Sequence, residues 1–150
     1  MRVGEDARAE LLLEESLDVA QLLGFKEGLA QVFEALGEVF LCQKKFKQAK
    51  KMFSQALLLS QEIGFRWPIG SCCFELAHLA HMRKQLARAA RLLGVVEAIS
   101  GSSEFAEVPE NKKWIDTLRN ELGEGGFSRL WAEGKAMTEE QAIQYAVGDE

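Results

Sequence analysis

The densest chemistry in the chain lies in one stretch, Cys72-Cys73-Phe74-Glu75-Leu76-Ala77-His78-Leu79-Ala80-His81. It holds both histidines and two of the three cysteines. Glu75 and His78 stand three apart, a spacing that lets a carboxylate and an imidazole on one helix face a di-iron centre. That chemistry needs a second such pair and two further carboxylates on facing helices. With no histidine elsewhere, the set cannot be completed. A zinc site from Cys and His needs ligands converging from more than one side, whereas Cys73 falls on the packing stripe of its own helix. No glycine-rich loop followed by Lys and Ser or Thr is present, so P-loop nucleotide binding is excluded for this stretch of protein. Gly123, Gly125 and Gly126 read as a turn. None of Asp6, Asp18, Asp116 and Asp149 joins a histidine in a triad-like arrangement. The expectation is a non-enzyme, with no catalytic residue, no metal and no cofactor.

The residues that must position this stretch are helix formers. Ala, Leu, Glu, Gln, Lys, Arg and Met make up 88 of the 150 residues, against 15 Val, Ile and Thr. That balance excludes β-sandwiches and barrels and predicts an all-α fold. The net charge of −5 argues against direct nucleic-acid binding, which rests on a cationic surface. The basic cluster Lys44, Lys45, Lys47, Lys50 and Lys51 reads as the solvated end and outer face of a helix pair. Three cysteines, two of them adjacent, do not suggest a disulfide framework and point to a reducing compartment. No signal-peptide pattern and no uncharged run of membrane-spanning length is seen. A cytoplasmic location without membrane contact is expected.

Order appears at an offset of forty residues. Gly24-Phe25 recurs as Gly64-Phe65. Ala9 then matches Ala49 and Ala89, Leu13 matches Phe53 and Leu93, and Leu17 matches Leu57. Leu36 matches Leu76, Gly37 matches Ala77, and Phe46 matches Leu86. Each copy reads as two helices. Phe33, Leu36, Gly37 and Phe40 stripe a helix over roughly 27–43. Phe46, Ala49, Phe53, Ala56 and Leu57 stripe a second over roughly 46–63, which Gly64 would end in a left-handed cap. Gly37 and Ala49 let the two helices approach, and the phenylalanines fill the gaps. The next copy uses Cys73, Leu76, Ala77 and Ala80, then Leu86, Ala89, Leu93 and Val96, with Pro68 harmless near its start.

Phe33, Leu36-Gly37, Phe40, Phe46, Ala49, Phe53 and Ala56 resemble the tetratricopeptide repeat, with a period of forty in place of thirty-four and Gln61 where that family often has proline. The resemblance implies an antiparallel helix-hairpin solenoid. Four segments follow: residues 1–24, the second helix of a truncated repeat; repeats at 25–64 and 65–101; and a C-terminal capping segment at 102–150. In the first segment the apolar stripe from Leu11 to Leu23 lacks its hairpin partner. The chain therefore reads as the C-terminal piece of a longer array, or as a homodimer paired through this helix.

Beyond Gly101 the register fails, because Lys113 stands where an apolar residue is due. Pro109 opens a helix to about Leu122, and Gly123 to Gly126 break it. Phe127, Leu130 and Trp131 form a short helix ending near Gly134. Thr138 and Gln141 form a capping box before Ala142, Ile143, Ala146 and Val147. Three short capping helices are expected.

Two of these segments carry a second resemblance. Ala89-Ala90-Arg91-Leu92-Leu93-Gly94-Val95-Val96-Glu97-Ala98 and the stretch Trp131 to Ala142 resemble the C-terminal region of large bacterial signal-transduction ATPases, including MalT-like and LuxR-type transcriptional regulators. This implies an ATPase and an output domain elsewhere in a larger protein, with a sensing or interaction role here. A stand-alone scaffold or homo-oligomerisation module is the alternative. In tetratricopeptide arrays the first helix of each pair lines a concave groove. The resemblance places Gln31, Glu34, Glu38, Leu41, Ser71, Phe74, His78 and His81 there, facing a protein, peptide or effector. An exposed Phe74 would ask for such a contact, and Ala at Phe74 and His78 would weaken it without changing melting.

Overall fold

The computed structural model describes residues 3–101 and 104–148. Ser102 and Ser103, where the C-terminal segment is expected to begin, lie outside the described residues, as do positions 1–2 and 149–150 of the terminal segments. Among the described residues the fold is all-α, in nine helices. These are α1 (Val3–Leu23), α2 (Lys26–Cys42), α3 (Phe46–Ile63), α4 (Trp67–Met82), α5 (Leu86–Ser100), α6 (Glu104–Glu107), α7 (Pro109–Leu122), α8 (Glu124–Lys135) and α9 (Glu139–Val147). They form two compact units, one up to Cys72 and one from Cys73.

The forty-residue period is written into the backbone as well as the side chains. Gly24 and Gly64 take left-handed φ values of 66° and 70° and end α1 and α3. Past each, the amide of the following phenylalanine bonds back into the last turn: Phe25 to the Ala20 carbonyl at 3.1 Å, Phe65 to that of Ser60 at 2.9 Å. Those bonds satisfy carbonyls that a helix end would otherwise leave open. The hairpin turns repeat too. Lys44 and Lys84 sit at φ 59° and 64°, and the next amides, of Lys45 and Gln85, reach the Phe40 and Ala80 carbonyls at 2.8 Å. Lysine is an uncommon residue for this conformation.

In the first unit α2 packs on α3, and α1 packs on α2. The Phe53 ring lies on Gly37, where an added Cβ would meet its Cε1 at 2.6 Å. Ala49, Phe53, Ala56 and Leu57 are fully buried along the same stripe of α3. The small-against-large arrangement expected for this hairpin is what holds it together.

In the second unit α5 is buried on most of its circumference, from Arg88 and Ala89 through Val96. A helix so enclosed must be covered from several sides, and α7, α8 and α9 all pack against it. The closest contact is with α8. A Cβ on Gly94 would lie 2.0 Å from the Trp131 carbonyl oxygen, and one on Gly134 only 1.8 Å from the Arg91 carbonyl oxygen. Backbone therefore touches backbone at two reciprocal glycines. Arg88 joins the unit at its other end. Its buried guanidinium donates to the carbonyls of Tyr145, Ala146 and Gly148 at 2.9, 2.8 and 2.9 Å, neutralising the open end of α9. The Thr138–Gln141 capping box starts α9 as expected, with bonds of 3.2 and 3.0 Å.

The C-terminal segment departs from its sequence reading in three ways. Only Gly123 leaves helical geometry (φ 76°, ψ 154°), while Gly125 and Gly126 belong to the first turn of α8. Gly134 lies within α8, because its role is close packing. The short helix α6, which has no buried residue to betray it, adds a fourth element. Moreover, α7 and α8 follow α4 and α5 in the same order at offsets close to forty. The succession of elements thus continues where the apolar register at Lys113 stops, because Trp114, one position later, supplies the buried residue.

Candidate functional site

The stretch from Cys72 to His81 lies within α4, and its chemistry is absorbed by packing. Cys72 and Cys73 are fully buried. Burial pushes the Cys73 thiol up to about 12, so it carries no thiolate for attack or metal binding at neutral pH. No disulfide joins Cys42, Cys72 and Cys73, and Cys42 is exposed. Among the described residues no group of three or more His, Cys, Asp or Glu is placed to hold a metal ion.

The eight groove positions separate into two sets. In the first unit Glu34 accepts a hydrogen bond from the Ser71 hydroxyl, which also reaches the Pro68 carbonyl at 3.3 Å. Burial raises the Glu34 carboxyl above its ordinary value; the Ser71 bond opposes this, and Glu38 adds to it. Glu38 is raised as well, through desolvation. Gln31 is exposed, whereas Leu41 is buried and unavailable as a groove contact.

In the second unit the other three positions are covered by the chain itself. Phe74 is only 3% exposed and stacks on Phe105, with ring centres 5.0 Å apart. Trp114 of α7 lies 5.5 Å from Phe74, 4.8 Å from His78 and 5.6 Å from His81. The His81 Nε2 sits 2.8 Å from Glu121 Oε1. Desolvation under Trp114 lowers the His78 pKa, and neighbouring His81 lowers it further. The expectation of an exposed Phe74 is therefore corrected. A Phe off the hairpin stripe does ask for a contact, and Phe105 and Trp114 provide it within the chain. Consequently Ala at Phe74 removes core, and melting cannot stay unchanged.

A larger unpartnered surface lies on the first unit. Leu11, Leu12, Val19, Leu22, Leu23 and Phe25 are exposed, Leu22 at 87% and Leu23 at 72%. Of these, Leu12, Val19, Leu23 and Phe25 line a groove of about 670 Å³ between α1 and α2, together with Gln31 and Val32. The Phe25 ring is laid along Gly28, where a Cβ would come within 2.4 Å of it. Large apolar residues exposed together are uncommon on an isolated domain. Around them α1 carries Glu5, Asp6, Glu10, Glu14, Glu15 and Asp18 against Arg8 alone. Glu10 is engaged, 3.9 Å from Lys45 and accepting from the Gln43 amide at 3.1 Å. The bare stripe from Leu11 to Leu23 was readable as spacing. The acidic frame around it is equally plain in the sequence once the face is known.

The residues that bind the second unit together were less visible. Arg88 looks like any surface arginine in the sequence, and Trp114 is displaced one position from the register. Gly94 and Gly134 lie in the two segments that carry the second resemblance, and the fold packs those segments on each other. No helix among the described residues is long and apolar enough to cross a membrane. No protein-family model, curated protein or solved structure matches this chain.

Proposed function

We propose that this chain is a non-catalytic helical-repeat interaction segment that receives a partner helix along the α1–α2 face. One observation carries the reading: the exposed Leu12, Val19, Leu23 and Phe25 line a groove, Leu11 and Leu22 are exposed on the same helix, and α1 is rich in carboxylates. On α3, one period later, Ala49, Phe53 and Leu57 are fully buried and α3 packs on α2, whereas their α1 counterparts Ala9, Leu13 and Leu17 stay half-buried. The exposed leucines of α1 border that half-covered stripe, and a helix of the kind stacked repeats supply to one another would cover both. Burying one such leucine is worth about 1.5–3 kcal/mol before ordering costs. The acidic frame favours a helix whose apolar stripe is flanked by Lys or Arg.

The resemblances to tetratricopeptide arrays and to the C-terminal region of bacterial signal-transduction ATPases and transcriptional regulators support a sensing or partner-binding role within a larger cytoplasmic signalling protein. Gln31 joins the proposed face directly, and Glu34, Glu38 and Ser71 form a second polar patch on the same unit. Phe74, His78 and His81 act as internal packing beneath α7.

Fluorescence anisotropy with a Leu-striped amphipathic peptide tests the proposal. A version with lysine flanks should bind saturably, and one with glutamate flanks should not. Leu22→Glu with Leu23→Glu should abolish binding while leaving helical circular dichroism and the melting midpoint unchanged. Equal binding of both peptides, or binding that survives the double substitution, overturns it. So does a dimer in sedimentation equilibrium that the double substitution dissolves, since the occupant is then a second copy of this chain.

A further inference from the structure

The unit from Cys73 onward holds a partly open cavity of about 310 Å³ among α4, α5, α6, α7 and α8, with Arg119, Glu124 and Ser128 at its exposed rim. Its walls are Phe74, Leu93, Phe105, Ile115, Phe127 and Trp131. That volume is at the lower end for sites that hold a small organic molecule. The walls are formed by residues with fixed partners. Phe74 and Phe105 stack at 5.0 Å with their planes 16° apart, and Phe127 is buried.

Four polar residues also line the cavity: Glu97, Arg119, Glu124 and Ser128. Arg119 is already committed, its guanidinium lying 4.8 Å over the face of the Phe127 ring. The fold itself thus sets a cation on an aromatic wall of this cavity. Glu97 and Glu124 line the same space, and among the described residues neither side chain has an ion pair or hydrogen bond. Among the lining residues two carboxylates stand against one arginine, while the Lys135 ammonium lies 4.8 Å over the Trp131 ring.

Aromatic faces attract ammonium groups, more strongly where water is excluded. A bare metal ion would gain nothing here, because apolar walls cannot replace its hydration shell. A carboxylate-bearing ligand would add a third negative charge. We propose that this cavity binds an organic ammonium ion with an apolar or aromatic body. The body lies between Phe105 and Trp131, and the nitrogen points toward Glu97 and Glu124. The site lies wholly within the second unit and does not depend on the α1–α2 reading.

Titration of the full chain with tryptamine, followed by ¹⁵N–¹H correlation spectra, tests this. Saturable shifts are expected for the Trp131 indole N–H and the amides of α7 and α8, with indole-3-acetate giving none. Glu97→Gln should weaken tryptamine binding about tenfold, the equivalent of one hydrogen-bonded charge. Ala106→Leu, which adds bulk from α6 where no residue is buried, should block it without lowering the melting midpoint. Equal binding of indole-3-acetate, absence of saturable shifts, or tryptamine binding indifferent to both substitutions would overturn the assignment.

Discussion

Replacing Gly134 with alanine sets two physical effects of opposite sign against each other. By helix propensity alone, alanine inside α8 should stabilise the chain by about 1 kcal/mol. The contact with α5 argues the reverse. The new Cβ would sit 1.8 Å from the Arg91 carbonyl oxygen and 2.7 Å from its carbon. Both are backbone atoms, so no side chain can turn away. Bringing that oxygen to the shortest distance a real Cβ tolerates requires α5 and α8 to part by at least about 1.2 Å. A gap of that size forfeits a quarter to a half of each dispersion contact along the interface, and overpacking of this kind costs about 1–3 kcal/mol, occasionally more. The two helices form the tightest contact of their unit, so a net loss of about 2 kcal/mol is expected after the propensity gain. At this chain length that lowers the melting midpoint by about 4–8 °C. Gly125→Ala is the control on the same helix. Nothing lies within 4 Å of its Cβ position, so it should be neutral or stabilising by up to about 1 kcal/mol. Urea unfolding followed by far-ultraviolet circular dichroism reads both. Gly94→Ala should behave like Gly134→Ala, and the double variant should cost less than the sum, because helices already parted accommodate the second Cβ. A Gly134→Ala variant as stable as Gly125→Ala would refute the backbone-to-backbone packing of α5 and α8.

Three further outcomes are expected. Phe74→Ala should lower stability by about 3–5 kcal/mol in urea unfolding, since it removes a buried ring stacked on Phe105 and tilted against Trp114; a loss under about 1 kcal/mol would return Phe74 to the surface. Arg88→Met should cost about 2–4 kcal/mol by uncapping three carbonyls at the end of α9, and hydrogen exchange should quicken first in α9. Acidity should act through His78 and Glu34 with opposite signs. The folded pKa of His78 lies below its ordinary 6.5, so its contribution is present above that value and is lost as the pH falls through the folded pKa. The folded pKa of Glu34 lies above its ordinary 4.5, so its contribution is present below that value and is lost as the pH rises. His78→Asn should therefore flatten the decline below pH 6.5, and Glu34→Gln, which can still accept from Ser71, should stabilise the chain at pH 7. Unfolding midpoints measured across the pH range check both.

What the sequence revealed, and what it hid, follows from how each feature depends on neighbours. Gly24 and Gly64 announce helix ends because their left-handed geometry is local, and the Phe53-on-Gly37 packing follows from a stripe within one hairpin. Lys44 and Lys84 take the same left-handed turn without glycine, and only their forty-residue spacing hints at it. Gly134 misleads for the opposite reason. A glycine near a helix end reads as a stop, yet here it is required by a helix distant in sequence. The burial of Phe74, His78 and His81 depends on Trp114 arriving from a later helix, one position off the repeat. No periodicity within α4 could reveal that cover. The bare face of α1 was legible because an unpartnered stripe needs no tertiary information to be noticed.

Hydrogen exchange of the intact chain, alone and with saturating lysine-flanked amphipathic peptide, tests the interaction reading most directly. Protection should rise in α1 and in the N-terminal half of α2, around Leu12, Val19, Leu23 and Val32, and nowhere in α7–α9. Unchanged exchange in α1 with protection gained instead around Phe74, His78 and Trp114 would contradict it.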